Sequence, residues 1–324
     1  MTIRTGQTTA ESTFWVLGAA GQLGTALRAT APQGVTVRTL TSADIDVTDA
    51  ESVSTALADL RAADVVINAT AYTAVDRAED EPELAEAVNA RGPELLAQAT
   101  AAVGAWLIHV STDYVFAGPP AGSAGEGLAQ RTVAYEPDEV DLASEVDLAD
   151  AAASAGPRSV YGQTKLAGER RLLRADPTAT IVRTAWVYTG GQSSPDFVGT
   201  MRRLEQSRDS ITVVDDQTGS PTYAPDLAVG LWELGTSGHT PERSGVLHAT
   251  NAGSATWWEV ARAVFAEVGA DPERVQPCTT DEFPRPAPRP AFSVLSGRSW
   301  AAAGLTPLRA WRPALHAAVS ADTV

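Results

Sequence analysis

Apolar positions recur along the chain with two periods, a short one typical of strands and a longer one typical of helices. From residue 13 onward, short apolar runs precede stretches whose apolar positions lie three and four residues apart. The apolar runs predict strands over residues 14–17, 35–40, 65–67, 107–110, 180–187, 211–214 and 246–249. The amphipathic stretches predict helices from residue 23 and over about 51–62, 83–103, 161–174, 197–206, 225–234, 256–268 and 311–319. This alternation indicates βαβ units around a parallel sheet.

Two local features modify this pattern. Thr48, followed three residues later by Glu51, predicts a capping box that opens the second helix, which we expect to run to about Ala62. Residues 117–159 interrupt the alternation and carry seven carboxylates, with no Lys or Arg, between Glu136 and Asp150. This acidic insertion is either a mobile lid over an active site or a solvated loop, and the sequence favours neither.

Composition and charge exclude several classes of protein. The formal net charge of -16, without any basic run, excludes general binding to nucleic acid or to acidic membranes. The single cysteine, Cys278, excludes an internal disulfide, and the four histidines complete no zinc-type cluster. Residues 1–12 are polar and lack the apolar core of a signal peptide, and no run is long enough to span a membrane. We therefore expect a cytoplasmic protein with a loose leader over residues 1–12.

A glycine-rich loop follows the first predicted strand directly. Gly18, Gly21 and Gly24 form a GxxGxxG pattern that includes Gln22 and Leu23 and leads into a helix. Glycines let the backbone approach a pyrophosphate, and the helix N-terminus offers unpaired N–H groups to it. Tight strand-to-helix turns also need glycine, but the position after the first strand of a βαβ unit favours a dinucleotide site.

Two further segments are candidates for cofactor contact. The second predicted strand ends in Thr39-Leu40-Thr41-Ser42, with no carboxylate in that tip and with Arg38 nearby. This predicts that NADPH is used at least as readily as NADH, because a 2′-phosphate would meet no acidic group there. Asp46 and Val47 fall where a loop reaches the adenine. After the third strand, Ala69, Thr70 and Ala71 either pass close to the cofactor or simply allow helix packing.

A second constellation combines a phenol, an ammonium and a hydroxyl. Tyr161 and Lys165 are four residues apart and share one helix face. A nearby cation lowers the pKa of a phenol, so we expect Lys165 to make Tyr161 a usable acid for an alkoxide formed by hydride addition to a ketone. Ser111-Thr112-Asp113 ends the fourth strand, where open α/β sheets bind ligands. A hydroxyl of this segment completes a Ser/Thr-Tyr-Lys set.

With these segments in view, the chain resembles the dTDP-4-dehydrorhamnose reductases of the extended short-chain dehydrogenase family. The resemblance covers about residues 14–316 and is carried by residues 18–24, 66–76, 111–116, 161–169, 183–188 and 215–222. The Ser-Thr-Asp-Tyr-Val-Phe segment at 111–116 and the Arg-Thr-Ala-Trp-Val-Tyr segment at 183–188 are the most specific of these. The resemblance implies reduction of the C4 ketone of dTDP-4-dehydro-L-rhamnose to dTDP-L-rhamnose.

The resemblance also implies roles for single residues. Tyr161 is implied as proton donor, and Lys165 is implied to bind the nicotinamide ribose and tune Tyr161. The residues implied to contact the sugar are Thr112, Asp113 and Trp186, and those implied to line the cofactor are Gly21, Gln22, Leu23, Ala69, Thr70 and Ala71. Arg289, with Pro290 and Ser293, resembles a late family motif near the substrate, although a plain surface role for Arg285 and Arg289 fits equally well.

Together these features predict a Rossmann-type doubly wound α/β fold with a smaller, mostly C-terminal substrate-binding lobe. We expect the NAD(P)-binding domain over residues 13–187 and about 221–250, and the lobe over about 188–220 and 251–320. A regulatory NADP-binding subunit and a nucleotide-sugar epimerase or dehydratase remain alternatives. Some family members dimerise through magnesium held by glutamates. Ala26 and Arg312 stand where two of those carboxylates would be, so we predict no metal and a monomer or weak homodimer.

Overall fold

A computed structural model describes residues 12–116, 118, 131–143 and 156–321 of the chain. In chain order its strands are β1 Thr13–Leu17, β2 Thr36–Leu40, β3 Val65–Asn68, β4 Trp106–Thr112, β5 Thr180–Thr184, β6 Val187–Tyr188, β7 Ile211–Val214, β8 Thr218–Gly219, β9 Thr222–Tyr223, β10 Gly245–His248, β11 Ala255–Thr256 and β12 Val275–Cys278. Its α-helices are α1 Gln22–Ala29, α2 Ala50–Ala56, α3 Val75–Ala78, α4 Pro82–Glu86, α5 Gly92–Val103, α6 Val160–Ala175, α7 Phe197–Ser207, α8 Ala224–Thr236, α9 Trp257–Glu267, α10 Arg298–Ala302 and α11 Trp311–Ser320.

Six parallel strands form the central sheet in the order β2-β1-β3-β4-β5-β10. The reversal of strand order beside β1 is the doubly wound arrangement, so the predicted fold class is confirmed. Along β1, Phe14 and Val16 enter the core shared with α1 and α8, while Trp15 and Leu17 enter the core shared with α2 and α5. Helices on both faces explain why the strand is apolar throughout, and each fully buried large side chain stabilises the fold by roughly 1.5–3 kcal/mol.

A further apolar core, besides the two that flank the central sheet, lies outside that sheet. It gathers residues of α7, α9 and α11, among them Val198, Phe265 and Leu315, together with strands β7 and β12. These two strands pair with each other in parallel and form a small sheet of their own. The division of the chain into a cofactor domain and a substrate lobe at the predicted residues stays a prediction.

The capping box predicted at Thr48 and Glu51 is wrong. The Thr48 hydroxyl donates to the Asp46 carboxylate at 2.7 Å, so Asp49 caps α2 instead and accepts from the backbone N–H groups of Glu51 and Ser52. The helix also ends at Ala56 rather than near Ala62. The carboxylate of Asp49, one residue after Thr48, offers two acceptor oxygens. The Thr48 hydroxyl is already engaged as a donor, so Asp49 is the better cap.

The single helix predicted over 83–103 is interrupted by a turn of π-helix at Ala87–Arg91. Pro93 lacks the N–H that would bond the carbonyl of Asn89 four residues earlier, so the regular ladder breaks there. The interruption turns the Asn89 side chain inward, where it bonds both the N–H and the carbonyl of Tyr72 and the Thr164 hydroxyl.

The strand predicted over 180–187 also divides. β5 ends at Thr184, and β6 pairs with β9 in a separate two-stranded sheet. Trp186 lies between them with φ +47°, in the left-handed region that costs a non-glycine residue on the order of 1–2 kcal/mol. The sequence did not show this break, because residues on both sides of Trp186 along the chain are buried and apolar residues continue through it.

Part of the acidic insertion packs against the body of the protein. Tyr135 forms a parallel bridge with Leu295, and its ring stacks on Phe116 with 4.1 Å between centroids. Residues 117, 119–130 and 144–155 lie outside the described residues, as does most of the predicted leader. The choice between a lid and a solvated loop therefore stays open.

Candidate active site

A cleft of about 730 Å³ opens at the carboxyl end of the central sheet. Open α/β sheets bind ligands at this edge, where the strand order reverses. The predicted site residues that line it are Gly21, Gln22, Leu23, Ala69, Ala71, Thr112, Asp113, Tyr161, Lys165 and Trp186. The predicted residues that are not among its lining are Gly18, Gly24, Thr41, Ser42, Asp46, Val47, Thr70 and Arg289. The fold thus gathers residues from five separate segments into one cleft.

The glycine loop forms one end of the cleft and presents an open helix N-terminus. Gly18 has φ +79°, and a Cβ there would lie 2.9 Å from the backbone of Ala69. Gly21 is the N-cap of α1 and provides no side-chain cap for the first N–H groups of the helix. Unpaired N–H groups at the positive end of the helix dipole bind anions, so this loop fits the pyrophosphate of a dinucleotide.

Gln22 connects the glycine loop to the opposite wall. Its Nε2 donates to the Asp196 carboxylate at 3.2 Å, and the same carboxylate caps α7 by accepting from the Gly199 N–H. The side chain and N–H of Thr189 also donate to Asp196. One carboxylate therefore holds together the loop before α7 and the glycine loop at the start of α1.

The end of β2 differs from the sequence-based expectation. The Asp44 carboxylate accepts from the N–H and hydroxyl of Thr41 at 2.8 and 2.7 Å, and these bonds, the backbone one foremost, lower the pKa of Asp44. Arg38 pairs with Asp59 at 2.9 Å rather than with a residue at the end of β2. The premise that no carboxylate stands at the tip is therefore wrong. The turn brings a carboxylate from three residues further on back to Thr41.

The remaining predicted cofactor contacts divide between cleft and core. Val47 is buried in the core beside Gly92, while Asp46 is exposed and engaged with Thr48. Ala69 and Ala71 line the cleft, and Thr70 turns its hydroxyl to the Asn68 carbonyl oxygen, Oδ1, at 2.6 Å. Thr41, Ser42, Asp46 and Val47 therefore stay predictions for the adenosine end of a cofactor.

The helix α6 carries Tyr161 and Lys165 into the cleft. Ser159 caps it by accepting from the Gly162 N–H at 3.2 Å. Gly162 faces the carbonyl of Tyr114 so closely that any Cβ there would clash. The missing side chain lets the first turn of α6 press against the loop after β4, which places Tyr161 beside Thr112.

Tyr161 and Thr112 form the centre of the site. Both side chains are buried and line the cleft, and the Thr112 hydroxyl donates to the Asp113 carboxylate at 3.0 Å. Burial raises the pKa of Tyr161, an effect that the neighbouring Thr112 hydroxyl only partly offsets. The expectation that Lys165 lowers this pKa is not met, because the Lys165 amine turns to other partners. Tyr161 is therefore a protonated phenol throughout the neutral range.

Lys165 lies one turn further along α6 and is fully buried. Its Nζ donates to the Val110 carbonyl at 2.9 Å and lies 3.3 Å from Nε2 of His109. Burial lowers the pKa of Lys165 to about 8, and the Glu169 carboxylate counteracts part of that fall. Lys165 therefore changes protonation state close to neutral pH.

Asp113 is a buried acid at the floor of the cleft, with 1% of its surface exposed. Burial raises its pKa to about 6, although hydrogen bonds from Ser293 and Thr112 pull in the other direction. Such a carboxyl can either accept or donate a hydrogen bond near neutral pH. This suits contact with sugar hydroxyls.

Trp186 forms an aromatic wall with two residues that the sequence did not single out. Its ring stacks on Trp257 with 3.6 Å between centroids, and Phe197 packs on Trp257 at 4.5 Å. All three line the cleft. Trp186 and Trp257 are far apart along the chain, which explains why no sequence motif joins them.

Arg289 is placed beside the cleft rather than in its lining. Its guanidinium pairs with Asp76 at 2.8 Å and donates to the Ala287 carbonyl, and Arg285 reaches the same carboxylate at 3.2 Å. Contact between Arg289 and substrate stays a prediction.

Three buried hydroxyls of the cleft lack partners among the described residues: Ser111, Thr184 and Tyr188. Each of these residues lines the cleft. An unpaired buried hydroxyl is costly, so these three leave hydrogen-bonding capacity unmet in the wall of the cleft. The segments 111–116 and 183–188 contained this signal, but the sequence could not show which of their side chains point inward.

Neither a metal site nor a membrane span occurs in the part of the chain that the structure describes. No three His, Cys, Asp or Glu side chains cluster there so as to hold a metal ion, and no helix there is both long and apolar enough to cross a membrane. Ala26 is buried, and Arg312 lies over the Trp311 ring.

Comparison with known proteins gives one consistent family. Residues 13–324 match the family model described as the RmlD substrate binding domain. The chain is 51% identical over 307 residues to a dTDP-4-dehydrorhamnose reductase of Mycolicibacterium smegmatis, covering 94% of this chain and 84% of the relative. It is 49% identical over 307 residues to the enzyme of that name from Mycobacterium tuberculosis, covering 94% and 92%.

Solved structures agree. A dTDP-4-dehydrorhamnose reductase of Clostridium acetobutylicum superposes with a TM-score of 0.80 at 34% identity, over 96% of this chain and 100% of the other. The enzyme of the same name from Bacillus anthracis, solved in complex with NADP, gives a TM-score of 0.78 at 31% identity, covering 94% and 98%. A Thermus thermophilus UDP-glucose 4-epimerase, at 20% identity and a TM-score of 0.74, shares the fold over 96% of this chain and 99% of the other.

Proposed function

The chain belongs to the dTDP-4-dehydrorhamnose reductase family, and on that premise we propose that it reduces the C4 ketone of dTDP-4-dehydro-L-rhamnose to dTDP-L-rhamnose, with Tyr161 as proton donor. The family is NAD(P)-dependent, and the product serves the synthesis of rhamnose-containing polysaccharide.

The observation that carries this proposal is that buried Thr112, Tyr161 and Lys165 line the same cleft as the glycine loop. Reduction of a ketone needs a hydride for carbon and a proton for oxygen. A neutral phenol can supply the proton. The helix N-terminus of the glycine loop, in the same cleft, can bind the cofactor that supplies the hydride.

The residues of the glycine loop and of the loop after β3 fit a nicotinamide dinucleotide. Gly18, Gly21, Gln22, Leu23 and Gly24 would hold its pyrophosphate, with Ala69, Thr70 and Ala71 alongside. When bound, the cofactor supplies the hydride that reaches C4 of the sugar.

The chain's own residues would orient the ketone and protonate it. Tyr161 would donate to the C4 oxygen, and its proton would pass to that oxygen as the C–H bond forms. Thr112 would assist by turning its hydroxyl, which donates to Asp113 in the structure, toward the same oxygen. A charged Lys165 would bind the nicotinamide ribose, the role that the family resemblance implies for it. Asp113 and Trp186 would bind the sugar, one through its carboxyl group and the other through its ring face.

We propose NADPH as a substrate at least as good as NADH. The Bacillus anthracis relative was solved with NADP, which supports this preference. Asp44 opposes it, because an exposed carboxylate at the β2 tip would repel a 2′-phosphate.

The test follows NADPH absorbance with enzymatically generated dTDP-4-keto sugar as substrate. Loss of NADPH absorbance together with formation of dTDP-L-rhamnose supports the proposal, and NADH and a UDP-linked analogue serve as controls. NADPH binding without turnover would favour the regulatory alternative. Rearrangement of the sugar without net NADPH oxidation would favour an epimerase.

A further inference from the structure

We propose that Asn68 and His109 form a positioning pair for Lys165, in which His109 is held as the neutral Nε2–H tautomer and donates to the free-amine form of Lys165. This inference deepens the proposed function and rests on it, since it concerns the protonation state of Lys165, one helix turn from Tyr161. Both residues are fully buried and face each other as register partners on β3 and β4.

The orientation of the Asn68 amide is fixed by its neighbours. Its Oδ1 accepts from the Thr70 N–H at 3.0 Å and from the Thr70 hydroxyl at 2.6 Å. A backbone N–H only donates, so the atom facing it must be the amide oxygen. The Asn68 Nδ2 group therefore points the other way, toward His109 Nδ1 at 2.9 Å.

This orientation decides where His109 carries its proton. Because Asn68 Nδ2 is a donor, His109 Nδ1 must accept and is unprotonated. Burial, and the nearby charge of Lys165, lower the pKa of His109 well below its usual value, so the ring is neutral. A neutral imidazole has one proton, which is then on Nε2.

The Nε2–H group faces Lys165. Its nitrogen lies 3.3 Å from Lys165 Nζ, which already donates to the Val110 carbonyl. An ammonium has only donors and meets this N–H unfavourably, whereas a free amine has a lone pair that accepts from it. The contact therefore favours loss of a proton from Lys165.

The other groups around Lys165 offset only part of this loss of the proton. Tyr161, one turn earlier on α6, is a neutral phenol. Glu169, one turn later, favours the ammonium, but its carboxylate is held by two nitrogens of the Arg183 guanidinium from β5. Burial lowers the pKa of Lys165 to about 8, in the same direction as the His109 contact.

The first test reads the tautomer directly in the full-length protein. Nitrogen chemical shifts of ¹⁵N-labelled histidine, with His109 assigned through His109→Gln, distinguish Nε2–H from Nδ1–H. We expect Nε2–H at pH 6 and at pH 9, with a shift of the Nε2 signal near pH 8, the pKa of Lys165. In Lys165→Met the tautomer should remain and the inflection should vanish. An Nδ1–H ring in the wild type, or an inflection that survives Lys165→Met, would overturn the proposal.

The second test reverses the hydrogen bond. In Asn68→Asp one carboxylate oxygen still accepts from Thr70, and the other accepts from His109, which moves the proton to Nδ1. The Nε2 lone pair then accepts from the ammonium. We expect the alkaline limb of kcat/KM to move up by about one pH unit, because the Lys165 ammonium then binds its proton about tenfold more tightly. A switched tautomer with an unmoved limb would refute the role of the pair.

The first test is separable from the proposed function, whereas the second reads kcat/KM and needs turnover. The negative charge introduced by Asn68→Asp also raises the alkaline limb, so the tautomer signal is read alongside the limb in each variant. The wild-type nitrogen spectrum needs no turnover. Failure of the wild type to reduce the keto sugar would refute the proposed function while leaving the tautomer result intact.

Discussion

The carboxylate of Glu169 and the guanidinium of Arg183 form a fully buried ion pair, with 2.6 Å between Oε2 and Nη2. The pair ties α6 to β5 one turn beyond Lys165. It therefore fixes the helix that carries the two groups of the proposed proton transfer against the sheet that carries Thr112. Removing one partner leaves an uncompensated buried charge, whereas removing both does not.

Glu169→Ala should lower the free energy of unfolding by about 3–5 kcal/mol, because Arg183 is left buried without its partner. The double variant Glu169→Leu with Arg183→Met should recover most of that loss. Urea denaturation monitored by circular dichroism measures both. A single variant within about 1 kcal/mol of the wild type would show that the pair contributes little.

Tyr161→Phe should lower kcat by about 100-fold or more, since the proton donor is lost while the ring and its packing remain. The dissociation constant of NADPH should stay close to that of the wild type. Steady-state kinetics and fluorescence titration measure the two. Tyr223→Phe, which alters a phenol outside the cleft lining, is the matched control and should retain normal turnover. Near-normal turnover in Tyr161→Phe would remove Tyr161 from its role.

Asp113→Asn should make the protein more stable than the wild type above pH 6. The folded-state pKa of Asp113, about 6, lies above that of the unfolded chain, so the cost of burying its charge is absent while the group is protonated in both states. As pH rises from about 4 through 6, the wild type should lose roughly 3 kcal/mol relative to the variant. Urea unfolding at pH 4 and pH 8 measures this difference. An equal stability gap at both values would contradict the raised pKa.

Asp44→Asn should lower the KM for NADPH several-fold and change the KM for NADH little. The amide oxygen keeps the bonds from Thr41, while the charge that would repel a 2′-phosphate is removed. Initial rates with each cofactor at saturating keto sugar test this. An unchanged ratio of the two KM values would place Asp44 away from the cofactor.

Activity and molecular size should be unchanged by EDTA. The resemblance to magnesium-linked family members stops at Ala26 and Arg312, which offer no carboxylate there. Size-exclusion chromatography with light scattering, before and after EDTA treatment, should show the same monomer or weak homodimer. Dissociation or loss of activity would reveal a metal that the sequence argument missed.

The sequence by itself determined the fold class and identified ten of the residues that line the cleft. Strand and helix periods are local properties, so the βαβ order, the glycine loop after β1 and the Tyr161–Lys165 spacing could be read without a structure. The same local signals failed where a distant or atypical group intervened. Pro93 broke a predicted helix, Trp186 broke a predicted strand, and Asp49 displaced Thr48 as a cap.

Only the tertiary structure decided which partner each polar group has. It turned Lys165 toward Val110 and His109 rather than toward the Tyr161 phenol, and it returned Asp44 to Thr41. It also buried Tyr161 deeply enough to raise the pKa of its phenol. Burial and hydrogen-bond geometry depend on atoms that are dozens of residues apart in the chain, and these set the protonation states on which the chemistry depends.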